Sequence, residues 1–154
     1  MKQIREVNIY VDGSFSREKN KYSYGCVALA EGRIIKFGGT GDDKDYVELW
    51  NIAGELFGSM EAIKWAVNNG YDRVTIYHDY IGLEKWASRK WRANKVGTKK
   101  YVEFIEEFKK YIDIKFVKVK AHSGNVYNEE ADKLAKRYLY TIEIPAQWLG
   151  GLPK

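Results

Sequence analysis

Residues 4–14 read IREVNIYVDGS, with Val7, Ile9 and Val11 alternating with polar neighbours before Asp12-Gly13-Ser14. A period of two marks a strand with one buried face, and Asp-Gly after it marks a turn. Working outward, residues 22–30 and 33–38 form two more strand-like runs, joined by Glu31-Gly32 as a two-residue hairpin loop. A Gly/Asp-rich loop, 38–45, follows. From Asn51 to Asn69 the apolar residues Leu56, Met60, Ile63 and Val67 recur at helical spacing, and Asn69-Gly70 stops the helix. Residues 73–78 (RVTIYH) make a fourth strand ending at Asp79. A short helix is expected over 80–89, then a break over Arg92–Gly97. A second helix follows over Thr98–Tyr111, with Tyr101, Ile105, Phe108 and Ile112 on one stripe. Residues 113–119 alternate strictly as a fifth strand. After Ala121–Gly124, a last helix spans Val126–Tyr140 with Ala131, Leu134, Ala135 and Tyr138 inward. The order βββαβααβα predicts an α/β fold: a mixed five-stranded sheet with helices on both faces.

At 154 residues the chain fits one domain, expected over 1–141, with a tail over 142–154 whose order the sequence leaves open. Its 45% hydrophobic, 31% charged and 15% aromatic content excludes disordered and coiled-coil classes. No run of 18 apolar residues exists, so no membrane partner is expected, and MKQIREVNIY is too charged for a signal peptide. One cysteine, Cys26, permits no internal disulfide and suggests a reducing, cytoplasmic setting. A monomer is expected. The net charge of +5 points only weakly to a polyanionic partner, and the distribution says more. Lys85, Arg89, Lys90, Arg92, Lys95, Lys99 and Lys100 form a run with no acid, and Trp86 and Trp91 lie inside it. Such a run can be a solvated face, but one sign of charge interleaved with aromatics is the pattern of phosphate contacts beside stacking rings.

Two carboxylates stand at predicted strand ends, Asp12 and Asp79, and two at helix borders, Glu55 and Asp132. Taken singly, each has an ordinary reading: a turn pair, a helix N-cap, a surface charge, a rim charge. If the first and fourth strands are parallel neighbours, Asp12 and Asp79 share the crevice at their carboxyl ends. Four clustered acids would repel one another strongly, and a hard divalent cation removes that conflict. Two Mg²⁺ ions about 3.5–4 Å apart can hold both the attacking and the leaving oxygen of an in-line phosphoryl displacement. One Cys and two His are too few for the usual zinc sites. His122, ten residues before Asp132, suits proton transfer if it lies near such a site. His78 is expected to be structural.

The segments YVDGSFS (10–16), NIAGELFGSMEAIKWA (51–66), TIYHDY (75–80) and VKAHSGNVYNEEADKLAK (119–136) resemble the motif blocks of the type 1 ribonuclease H family, spanning nearly the whole chain. The resemblance implies a ribonuclease H-like fold and Mg²⁺-dependent hydrolysis of the RNA strand of an RNA–DNA hybrid, leaving 5′-phosphate and 3′-hydroxyl ends, with Mn²⁺ as a possible substitute. By motif, Asp12, Glu55, Asp79 and Asp132 are the implied metal ligands, His122 the mobile loop histidine and Asn128 the support of the last helix's acid. Asn51 matches the family's minor-groove asparagine, and Gly13 and Ser14 sit where the family touches RNA. Trp86, Lys90, Trp91, Arg92 and Lys95 would then grip the DNA strand through phosphate and sugar.

The chain departs from the family pattern in three places. Trp50 stands where a hydroxyl residue is common, and Ile52 stands where a polar residue usually follows Asn51. The basic protrusion is short, as in forms that carry an added N-terminal hybrid-binding domain, and no such domain is expected before Asp12. Two alternatives remain: a structure-selective DNA nuclease resembling a junction resolvase, and a hybrid-binding module or basic interaction domain without catalysis. Asn51 lacks a purpose in the first, and four mutually repelling acids lack one in the second.

Overall fold

The computed structural model describes residues 3–120 and 124–140. Its strands are β1 (Glu6–Ser16), β2 (Lys21–Ala30), β3 (Arg33–Gly41), β4 (Arg73–His78) and β5 (Asp113–Lys118). Its helices are α1 (Lys44–Val47), α2 (Ala53–Asn68), α3 (Gly82–Ala87), α4 (Val96–Phe108) and α5 (Val126–Tyr140), with a 3-10 turn at Trp50–Ile52. The sheet order is β3-β2-β1-β4-β5, antiparallel among the first three strands and parallel from β1 through β4 to β5.

The alternation in β1 is borne out: Val7, Ile9 and Val11 are buried, together with Val74 and Ile76 of β4. Leu56, Ile63 and Ala66 of α2 and Tyr101 and Ile105 of α4 belong to the same core. Each buried Leu- or Ile-sized side chain contributes roughly 1.5–3 kcal/mol, so this central layer holds β1 and β4 firmly side by side. The two sheet faces can be followed along β2. Cys26 turns toward Gly58 of α2, whereas Ser23 donates to the Ala135 carbonyl of α5 at 2.6 Å. Gly25, on the Ser23 side, lets α5 approach: a Cβ there would sit 2.3 Å from the Ala131 carbonyl oxygen.

Several boundaries differ from the sequence expectation. Asp12-Gly13 is not a turn: β1 runs on to Ser16 because β2 pairs with it throughout, Asp12 opposite Gly25 and Ser16 opposite Lys21. The Gly/Asp-rich loop contains β3 residues to Gly41 and then α1, capped by Asp43, whose Oδ1 accepts from the Asp45 N–H at 2.9 Å. The helix expected from Asn51 begins as the 3-10 turn and becomes α-helical at Ala53. Helix α4 starts at Val96, where the Lys95 N–H donates to Thr98 Oγ1 at 3.1 Å. Tyr138 is exposed rather than inward, covering Gly38, and Leu139 takes the buried position. The tail expectation for 142–154 lies outside the described residues. Among the described residues, no helix is long and apolar enough to cross a membrane.

Candidate active site

The β1–β4 pairing runs in register from Glu6–Arg73 to Tyr10–Tyr77, and those two tyrosines stack at 4.5 Å. Side chains two apart on a strand share a face. Asp12 and Asp79, two residues beyond that rung, therefore continue the same column past the end of the parallel ladder. Glu55 comes from the first turn of α2, where the exposed N–H groups of the helix favour a negative charge. It reaches the two aspartates because α2 begins hard against the sheet. A Cβ on Gly13 would lie 2.4 Å from the Glu55 nitrogen, and one on Gly54 would lie 2.1 Å from the Ser23 carbonyl oxygen. Only glycine at both positions allows this contact. One carboxylate oxygen from each of Asp12, Glu55 and Asp79 then lies within 4.8 Å of the others.

The electrostatics of this triad are unfavourable for three bare anions. Asp12 is 7% exposed, and its carboxyl is pushed up to about 7, chiefly by burial and then by Asp79, with Asp132 adding repulsion. The Gly13 N–H, 2.9 Å from Asp12 Oδ1, pulls in the opposite direction. Glu55 is held well above the carboxylate range, first by burial and then by Asp79 and Asp12. Asp132 stands beside the triad rather than within it. It sits partly exposed on α5, close enough to act on Asp12, and accepts from Lys136 Nζ at 3.0 Å. The donor set is all carboxylate oxygen, two members are buried and mutually repelling, and no histidine or cysteine belongs to the group among the described residues. That chemistry fits a hard divalent cation.

The remaining candidates divide between a cleft and the core. Tyr80 follows Asp79, and a cleft of about 410 Å³ opens beside it, lined by Trp50, Tyr80, Trp86, Arg92, Asn94 and Lys95 among others. Trp86 is buried, 5.6 Å from the half-exposed Trp91 and 5.9 Å from Tyr80, so it forms the cleft's floor. Lys90, Arg92 and Lys95 are exposed, whereas Arg89 is engaged by Glu106 and Lys100 by Asp45. Gly13 and Ser14 are partly buried beside the triad, and Asn51 is exposed in the 3-10 turn. Asn128 is buried, its N–H held by Asn125 Oδ1, and its own Oδ1 takes no hydrogen bond among the described residues. His122 lies outside the described residues. His78, expected to be structural, is sealed against Phe116 and kept toward its neutral form by burial. Tyr80, Asn94 and Lys136 were missed by sequence reasoning. Lys136 was findable, since it stands one helical turn after Asp132.

The model of the RNase H family matches residues 4–140. A relative named Ribonuclease H from Clostridium botulinum is 39% identical over 155 residues, covering 92% of this chain and all of its own. RNase H1 from the halophilic archaeon Halobacterium salinarum superposes with a TM-score of 0.72 at 23% identity, over 87% of this chain and 97% of its own. LC11-RNase H1, solved in complex with an RNA/DNA hybrid, superposes with a TM-score of 0.66 at 15% identity, over 86% of this chain and 99% of its own. The strand order and the meeting of acids from β1, α2 and the end of β4 are thus matched by a family assignment over almost the whole chain, and the protein belongs to the RNase H family.

Proposed function

We propose that this chain is a Mg²⁺-dependent endonuclease that hydrolyses the RNA strand of RNA–DNA hybrids, leaving 5′-phosphate and 3′-hydroxyl ends. The observation that carries the reading is the convergence of Asp12, Glu55 and Asp79 within 4.8 Å, beside a cleft walled by Arg92 and Lys95. Asp12, Glu55 and Asp79 would hold Mg²⁺, or Mn²⁺ in its place, with Asp132 completing the set on the α5 side. When bound, two such ions supply positive charge to the scissile phosphate and to the departing 3′-oxygen.

The rest of the work falls to the protein. The glycine seat under α2 fixes Glu55 against Asp12, so the ligands are positioned before substrate arrives. Lys136 neutralises Asp132 and keeps that carboxylate extended along α5. Asn51, Ser14 and the Gly13 backbone offer donors and acceptors that can read a 2′-hydroxyl in the wide minor groove of a hybrid. Trp91, Lys90, Arg92 and Lys95, above the Trp86 floor, would hold the DNA strand through phosphate and sugar, giving affinity without sequence preference. We assign His122 to proton transfer or product escort, and Asn128 to supporting the α5 end of the site. The protein would act as a monomer in the cytoplasm, a compartment in keeping with its single buried thiol.

The test is cleavage of matched RNA–DNA, DNA–DNA, RNA–RNA and branched DNA substrates with Mg²⁺, with the wild type and Asp79→Asn. Cleavage of the hybrid alone, lost in the variant, supports the reading. Cleavage of branched DNA would transfer the site to a resolvase, and hybrid binding without cleavage would make it a binding module.

A further inference from the structure

Three tyrosines meet behind the acids. Tyr10 and Tyr77 face each other across the parallel pairing of β1 and β4, their rings 4.5 Å apart and 14° from parallel. Tyr127, from the first turn of α5, lies 5.4 Å from Tyr10 with its ring tilted by 44°. All three are half-buried, and none belongs to the hydrophobic core on the far side of the sheet. Their places in the chain share a feature. Tyr10 precedes Asp12 by two residues, Tyr77 precedes Asp79 by two, and Tyr127 precedes Asp132 by five. The stack therefore joins the three segments that carry those acids, two strands and a helix. Ring pairs prefer offset or tilted arrangements at a set separation, so such a contact fixes a position as well as burying area.

Asp132 is the acid whose position the sheet does not set. Beyond it, α5 is held where Ser23 donates to the Ala135 carbonyl at 2.6 Å, and at Gly25, whose missing side chain admits the Ala131 carbonyl. Gly25 pairs with Asp12, so this hold brings α5 over Asp12, and the Asp12 and Asp132 carboxylates repel. The repulsion bears on the N-terminal half of α5. Asn125 Oδ1 caps the first turn by accepting from the Tyr127 and Asn128 N–H groups at 3.1 and 3.0 Å, bonds that tie the turn only to itself. Lys136 pairs with Asp132 from the same helix and moves with it. Lys36 of β3 reaches Glu130 at 3.2 Å, but that pair is half-exposed, and exposed pairs hold little. Val126 and Glu129 point to solvent. The ring of Tyr127 on Tyr10 is the contact that opposes the repulsion, one rung behind the acids.

We propose that the Tyr10–Tyr77–Tyr127 stack holds the first turn of α5 against β1 and so keeps Asp132 beside Asp12. Tyr127 is a positioning residue that acts through Asp132 and sets how tightly the acid cluster takes its divalent cation. This rests on the reading of the site as a metal-dependent hydrolase.

The experiment titrates Mg²⁺ into the metal-free protein by calorimetry for the wild type, Tyr127→Ala, Asp132→Asn and the double variant. Hybrid cleavage by the same proteins gives the half-saturating Mg²⁺ concentration and KM. Tyr127→Ala should weaken Mg²⁺ binding about tenfold, the lower end of what losing the support of a metal ligand costs, and leave KM for the hybrid within about twofold. The half-saturating Mg²⁺ concentration for cleavage should rise to match. With Asp132→Asn already in place the same substitution should cost less than about twofold, because the group it positions is gone. Tyr127→Phe keeps the ring and should match the wild type. Tyr127→Leu keeps apolar bulk without a ring, should show a smaller loss of the same kind, and carries the test if Tyr127→Ala does not fold. Wild-type Mg²⁺ affinity in both Tyr127→Ala and Tyr127→Leu, or an equal loss with and without the Asp132 carboxylate, overturns the proposal and leaves the hydrolase reading standing. A wild type that binds Mg²⁺ but does not cut the hybrid sinks the hydrolase reading, while the binding cycle still decides the role of the stack.

Discussion

Asp12 of β1 and Asp79, the residue that follows β4, each stand two positions past the stacked Tyr10–Tyr77 rung of the parallel pairing. The hydrogen-bonded ladder thus delivers both carboxylates to one point, and only Glu55 has to be brought in from elsewhere. Because position is set by the sheet, replacing an acid with its amide should leave the scaffold intact. Asp79→Asn is expected to lower hybrid cleavage at least about 100-fold while the circular dichroism spectrum and cooperative unfolding are retained. An unfolded Asp79→Asn chain would mean that the acid is structural.

Burial and repulsion raise Asp12 from its ordinary 3.8 to about 7, so without metal the folded chain carries a proton that the unfolded chain releases. Between those two values the native state binds more protons, and stability falls as pH rises through that window; below it no such loss applies. The loss by pH 7.5 is roughly 2–4 kcal/mol, or roughly 5–10 °C in Tm. Asp12→Asn should flatten the Tm–pH curve in EDTA. Adding Mg²⁺ at 100 times its Kd should restore about 2.7 kcal/mol to the wild type and far less to Asp12→Asn. A wild-type Tm rising from pH 4.5 to 7.5 in EDTA would contradict the clustered-anion picture.

The close seating of α2 on β1 gives a sharper test of geometry. A methyl at Gly54 would sit 2.1 Å from the Ser23 carbonyl oxygen, which is backbone and cannot swing aside. Gly54→Ala should destabilise by about 1–3 kcal/mol, the usual cost of overpacking, measurable by urea denaturation. Below the melting point the helix must ride away from the sheet and carry Glu55 with it. Activity should then fall more than the population of folded protein does, and higher Mg²⁺ should recover part of it.

Much of this site was legible in the chain because its acids sit at features with a period. Asp12 and Asp79 close runs of alternating residues and Asp132 lies between small core-facing alanines, so periodicity marks their places, whereas their shared role as ligands is what the family resemblance implies. Asp12-Gly13 nevertheless misled as a turn. Dipeptide chemistry is local, whereas the antiparallel partner β2 that keeps β1 extended to Ser16 lies farther along the chain. For Gly54 the sequence allows a close approach beside Glu55, and only the fold supplies the partner, the Ser23 carbonyl behind it. Trp86 and Trp91 looked equivalent within the basic run, yet one is buried and the other half-exposed, because only tertiary packing distinguishes the floor of a cleft from its rim.

The cleft beside the triad makes a prediction about salt. Arg92 and Lys95 are exposed at its wall, and no acid is ion-paired to either among the described residues. Arg89 and Lys100 belong to the same basic run but are already engaged by Glu106 and Asp45. A cation that neutralises a phosphate releases a counterion, so each true contact adds close to one to the slope of log K against log salt. Arg92→Ala and Lys95→Ala should each weaken hybrid binding at low salt and reduce that slope by about one, independently of sequence. Arg89→Ala should change the slope much less, since its guanidinium serves an intramolecular pair. Fluorescence anisotropy of a labelled hybrid between about 50 and 200 mM salt, on an Asp79→Asn background to prevent cleavage, separates the cases. Equal slopes for all three variants would show that the basic run acts as a diffuse field and not through the cleft.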